Sequence, residues 1–265
     1  MTVPQPKLSA PDLILSLLDS APQPQIKAAS LVAAGALFGI DPRAIRVAVT
    51  RLVKGDVLAT VSRGIYSVGD RGDRLHRAVV SWSDVDSSTK PWKGGWLAVY
   101  QAHIKRADKT ARRARERALR LQGFAAVDAA FAVRPANLRR CLTEIRAGLI
   151  ELGLDAAASV FLIEETEPAA GFEALWDAKA LEARYANHIR NLQLSTDRVS
   201  GLDVYQAAAE TLLIGRGVTR DIVMDPLLPP QLVDAELRGE MIKAMRAYDR
   251  LGKECWRRFY AALEP

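Results

Sequence analysis

Arg43, Arg46, Arg51 and Lys54 place four cations within residues 41–54, and Arg63 follows in a short Ser62-Arg63-Gly64 turn. A guanidinium offers a planar fork of donors that matches two phosphate oxygens or the O6 and N7 edge of a guanine. Interleaved with these cations are Thr50, which can hydrogen-bond either kind of target, and Val47, whose methyls suit a thymine methyl. The chemistry these residue types can do is recognition of an anionic polymer. Residues for turnover are lacking: His76, His103 and His188 are scattered, and the chain has no nucleophile elbow, phosphate-binding glycine loop or dinucleotide fingerprint. Cys141 and Cys255 stand too far apart in sequence to read as a zinc knuckle or a disulfide framework. No catalytic residue, metal ligand or cofactor is therefore assigned.

The cations need a helix to position them, and the flanking residues specify one. Residues 13–18 (LILSLL) predict a short apolar helix, and residues 26–37 (IKAASLVAAGAL) a second, alanine-rich one whose small side chains permit close packing. Gly39 can take the left-handed conformation that ends a helix, Asp41 is a good N-cap, and Pro42 fits the first helical position. At 100° per residue Ile45, Ala48, Val49, Leu52 and Val53 share one face, the face that packs on a core. Arg43, Val47, Thr50 and Lys54 lie opposite, flanked by Arg46 and Arg51. Beyond Gly55-Asp56, VLATV and IYSV pair as a hairpin with Arg63 at its tip. Three helices and a hairpin of this kind predict a winged helix-turn-helix. Arginines on a solvated helix face are common, so it is the agreement of cap, core stripe, cationic stripe and wing that carries the expectation.

A chain of 265 residues is long for one domain, so two or three are expected; its composition, with 49% apolar and 26% charged residues, is ordinary for a folded globular protein, and the order of helices and strands makes it an α+β, multidomain one. Its net charge of +6 favours an anionic partner. Residues 72–82 read as a connecting helix and the polar stretch after it as a linker, so residues 1–90 form the first expected domain. Residues 91–168 then run strand (96–101), helix (108–122), strands (124–128 and 129–133), helix (137–152) and strand (158–165). This is the ferredoxin-like β-α-β-β-α-β order. From Lys105 to Arg120 there are eight basic residues (Lys105, Arg106, Lys109, Arg112, Arg113, Arg115, Arg117, Arg120) against Asp108 and Glu116. That run suits DNA backbone, a phosphate-bearing effector, or a plain solvated face.

Residues 169–265 read as an α-helical C-terminal domain, with helices over 172–190 and 202–214 and a long stretch from 231 that Gly239 and Gly252 would break. His188 falls on the apolar face of the first and reads as a partly buried helix residue. The two cysteines read as buried thiols. With no apolar signal core and no span of roughly 20 apolar residues, the expectation is a cytoplasmic protein without membrane contact.

Three stretches resemble the PaaX-like family of bacterial regulators, named for the repressor of phenylacetate catabolism. They are FGIDPRAIRVAVTRLVKGDVLATVSRGIYSV, GGWLAVY and MDPLLPP. The chain reads PPQLVDAELRG where the family carries a tryptophan-glycine pair. The resemblance implies a GntR-like winged helix, a Cas2-like middle domain and a helical C-terminal domain in a homodimer. It implies a repressor of a catabolic operon for phenylacetate or a related aromatic acid, bound to double-stranded operator DNA and released by an aromatic acyl-CoA effector. On this chain Arg43, Arg46, Thr50 and Arg51 match the recognition helix and Arg63 the wing. No effector-binding residue follows, beyond a cleft between the middle and C-terminal domains as the kind of place such ligands occupy. Two other classes stand beside it. A Cas2-like metal-dependent nuclease needs an acidic ligand at the end of its first strand, where this chain reads GGWLAVYQAH, and a protein-interaction scaffold would lack salt-dependent DNA affinity.

Overall fold

In the computed structural model, residues 8–20, 25–70, 87–102, 109–167 and 171–263 are described. The expected connecting helix at 72–82, together with His76, His103, Lys105, Arg106 and Asp108, lies outside them. The protein is α+β. Among the described residues it has eight α-helices, two small antiparallel sheets and a helical C-terminal region. None of these helices is long and apolar enough to cross a membrane. The chain divides into two compact units, one of Met1–Trp82, His188–Thr219 and Lys243–Pro265, the other of Ser83–Asn187 and Arg220–Ile242.

The first unit opens with α1 (Ala10–Ser20), started by Ser9, whose hydroxyl accepts from the Asp12 amide at 3.3 Å. Leu13, Ile14 and Leu17 of α1 are wholly enclosed. The stretch expected as one helix from residue 26 is split. Gln25–Lys27 form a strand, β1, and α2 (Ala28–Leu37) begins only after it. The reason is a partner remote in sequence: β1 pairs antiparallel with β3 (Ile65–Val68), burying Ile26, while the Ala28 amide donates to the Gly64 carbonyl at 2.8 Å. α3 (Pro42–Lys54) and β2 (Leu58–Ser62) complete a three-stranded sheet in the order β1-β3-β2. The core beneath joins residues of α1, α2 and α3 to Ala208, Leu212, Trp256 and Phe259 of the C-terminal helices.

The second unit holds a four-stranded sheet of β4 (Trp96–Tyr100), β5 (Ala125–Ala126), β6 (Phe131–Pro135) and β7 (Ser159–Ile163), ordered β5-β6-β4-β7 with every neighbour antiparallel. Strand alternation sorts β4 between two layers. Leu97 and Val99 pack with residues of α4 (Lys109–Leu121) and α5 (Leu142–Glu151), whereas Trp96 and Ala98 meet Phe172, Trp176 and Leu232. α5 is shorter than the helix expected from residue 137. Leu138 bridges to Thr89 and the Arg139 amide donates to the Ser88 carbonyl at 2.9 Å, which commits that stretch to extended pairing. Cys141 then caps α5, its amide donating to the Glu144 carboxylate at 2.8 Å. It is exposed, so only Cys255 is the buried thiol expected of both.

The last three helices are α6 (Ala178–Val199), α7 (Val204–Val223) and α8 (Ala235–Ala262), preceded by a 3-10 turn at Phe172–Leu175. The turn occupies what reads in the sequence as the start of α6. Gly239 and Gly252 do not break α8, which is continuous through both. Gly252 faces Thr211, whose Cβ would lie 3.5 Å from an added side chain, an ordinary contact distance, and the roughly 1 kcal/mol that a helical glycine costs is too little to break a helix of this length. His188 is half-buried on α6. The MDPLLPP segment between α7 and α8 is tied down by its polar atoms. Tyr185 donates to the Asp225 carboxylate at 2.6 Å, Asn137 to the Leu227 carbonyl at 2.7 Å, and Arg238 to the Leu228 carbonyl at 2.7 Å.

Candidate nucleic-acid interface

α3 begins where the sequence directs it. Gly39 has φ +64°, a conformation that leaves a helix end at little cost in a glycine. Asp41 is extended, and its carboxylate accepts from the Arg43 amide at 2.7 Å, satisfying one of the donors left open at the helix start. Inward, Ile45, Ala48 and Val49 are buried and Leu52 and Val53 half-buried. That stripe fixes the rotation of the helix about its axis. Outward, Arg43, Arg46, Val47, Thr50, Arg51 and Lys54 are all exposed, Val47 to 50%.

Among the described residues none of Arg43, Arg46, Arg51, Lys54 or Arg63 enters an ion pair. A cationic face without internal counter-charge is free to exchange its counterions for phosphates. Arg43 and Lys54 stand eleven residues apart, about 16 Å along the helix axis at 1.5 Å per residue. A B-form major groove, about 12 Å wide, admits a helix of this diameter. The Thr50 hydroxyl donates to the Arg46 carbonyl at 3.0 Å, so its proton is committed and the side chain presents a methyl and oxygen lone pairs outward.

The hairpin places Arg63 in an exposed two-residue turn, with Ser62 opposite Ile65 and Gly64 at φ +77°. The register shifts between Thr60 and Ser62, and the intervening Val61 is 49% exposed. Reading the sequence did not single out Val61 as an exposed side chain beside this turn. A bulge shifts the inside-outside alternation of a strand, and no residue type in VLATVS announces it. Among the described residues no group of three or more histidine, cysteine, aspartate or glutamate side chains is placed to hold a metal ion.

No protein-family model matches the chain, and no curated protein matches it. Among solved structures the chain is similar to one described as uncharacterized protein Rv0674 from Mycobacterium tuberculosis, with a TM-score of 0.61 at 22% identity over 94% of this chain and 99% of that one. At that identity the likeness concerns the fold.

Proposed function

We propose that this chain is a DNA-binding transcriptional regulator in which α1–α3 and the β1-β3-β2 sheet act as a winged helix-turn-helix. In this reading α3 enters the major groove, with Arg43, Arg46, Val47, Thr50 and Arg51 facing base edges and phosphates, Lys54 on the backbone and Arg63 on the neighbouring strand or minor groove. The observation that carries it is the exposed face of α3, whose cations have no ion-pair partner among the described residues and lie opposite a buried stripe that fixes their direction.

The sheet order β5-β6-β4-β7 supports reading the middle segment as a ferredoxin-like, Cas2-like domain. With the resemblance to PaaX-like regulators, the reading extends to a homodimeric repressor of an aromatic-acid catabolic operon, released by an aromatic acyl-CoA. Release requires the effector to favour the DNA-free form by about 3 to 5 kcal/mol.

The test is binding of the purified protein to DNA from upstream of its own gene, across a salt series, with and without aromatic acyl-CoA compounds. The expected result is a complex tighter than with random DNA, with a steep inverse dependence on salt, that one such compound dissociates. Equal affinity for random DNA would overturn sequence-specific regulation, and magnesium-dependent cleavage of the probe would replace it with a nuclease.

A further inference from the structure

α4 carries a second cationic surface that the winged-helix reading does not use. Lys109, Arg113, Arg117 and Arg120 are exposed and, at 100° per residue, fall within an arc of about 80° on one side of the helix. Ala118 and Leu119 are buried on the other side, Leu119 in the core it shares with α5 and the sheet. The helix has one acid, Glu116, and Arg112 holds it at 3.4 Å. Among the described residues none of the four stripe cations has an ion-pair partner.

We propose that the α4 stripe is a second contact for the phosphate backbone of duplex DNA, independent of base sequence. The inference rests on the reading of the protein as a DNA binder but places the contact on a different unit and a different helix. Three features select this occupant. Lys109 and Arg120 are eleven residues apart, about 16 Å along the helix at 1.5 Å per residue. Such a row fits an extended polyanion, whereas a compact phosphate ligand needs donors converging on one point. A membrane-surface helix joins its cations to an exposed apolar face, and the apolar face of α4 is spent in the core. Finally, duplex DNA presents a charge about every 1.7 Å of its length, so its density satisfies all four cations together.

The test is a salt titration of the full chain against an operator duplex and a random duplex of equal length, with an Arg113→Gln/Arg117→Gln variant. Each phosphate contact contributes about 0.9 to the slope of log K against log salt. The double variant is expected to lower that slope by about 2 on both duplexes while leaving the ratio of operator to random affinity unchanged. Arg112→Gln, which removes a cation already paired with Glu116, is expected to change the slope by well under the ~0.9 of one full contact. Unchanged slopes on both duplexes would overturn the inference and leave α3 as the reader. If the protein shows no operator preference yet binds random DNA with a slope that the double variant lowers, the inference stands and the α3 reading falls. Binding to phosphatidylserine vesicles but to neither duplex would overturn both.

Discussion

A Cβ added to Gly35 would lie 2.9 Å from Cγ1 of Ile45, so α2 and α3 meet with no room for a side chain between them. Ile45 is 1% exposed and cannot swing aside into solvent. Gly35→Ala sets a helix-propensity gain of about 1 kcal/mol against overpacking of similar size. Gly35→Val has no such compensation and is expected to cost about 2 to 3 kcal/mol in urea unfolding. Since the same contact seats α3, DNA affinity should fall with it. A wild-type midpoint for Gly35→Val would mean that the two helices separate easily.

Arg46 and Arg51 flank the outward face of α3 and have no ion-pair partner among the described residues, so replacing either should leave stability within about 0.5 kcal/mol. In the proposed complex, Arg46→Ala or Arg51→Ala weakens operator binding by about 1 to 3 kcal/mol and relaxes one base position where the guanidinium reads a base edge. A residue on phosphate instead loses less, uniformly across sequences, and takes about 1 off the salt slope. Fluorescence titration against operator variants separates these outcomes. Wild-type affinity in both mutants would take α3 out of the interface.

The parts of this architecture that could be read from the chain are those specified by neighbouring residues. Gly39, Asp41 and Pro42 set the start of α3, and the spacing of Ile45, Ala48 and Val49 sets its rotation, all within a dozen positions. Elements governed by remote partners could not be read this way. β1 is a strand because β3 lies alongside it some forty residues later, and Leu138 is kept out of the following helix by its bridge to Thr89. Charge misleads in the same manner. Arg115 sits in the basic run of α4 yet is 7% exposed, and Arg134, in the unremarkable string FAVRP, is 2% exposed. Which cation points inward depends on the fold around it, so the stripe on α4 could be counted in the sequence but not oriented.

Arg134 shows what an inward cation does here. Its guanidinium donates to the carbonyls of Gln122 and Pro226, the latter at 3.3 Å, and to the Asn137 amide oxygen at 3.1 Å, with the ring centroid of Phe124 6.0 Å away. Burial, then the charge of Arg140, pushes its pKa down to about 9, which leaves it a cation at neutral pH. Arg134→Met fits the space but strands buried acceptors at a cost of about 1 to 3 kcal/mol each. A total loss of about 3 kcal/mol or more is expected, with faster amide exchange in β4 and β6 and around residues 225–228. Exchange that stays at the wild-type rate near Pro226 would show that the segment is held by Asn137, Tyr185 and Arg238 without Arg134.

Tyr248 offers a test by pH. Ser195 donates its single proton to the Glu210 carboxylate at 2.6 Å, so across the 2.6 Å contact between Tyr248 and Ser195 the phenol must be the donor. The side chain is 2% exposed; burial, with the nearby charge of Glu210, pushes its pKa up to about 12 from the usual 10. A folded-state pKa above the unfolded value means that the unfolded chain releases this proton first as pH rises. The stabilisation is therefore complete below about pH 10 and is lost progressively as pH climbs towards about 12. Urea midpoints should fall across that window as tyrosinate absorbance grows. Tyr248→Phe leaves Ser195 without its donor, costs about 1 kcal/mol at neutral pH, and should decline less steeply than wild type on the alkaline side. Burial raises Tyr185 and Tyr260 as well, so the difference between the two proteins, rather than the decline itself, isolates Tyr248. Parallel alkaline curves for the two would mean that the Tyr248 proton is not held by the fold.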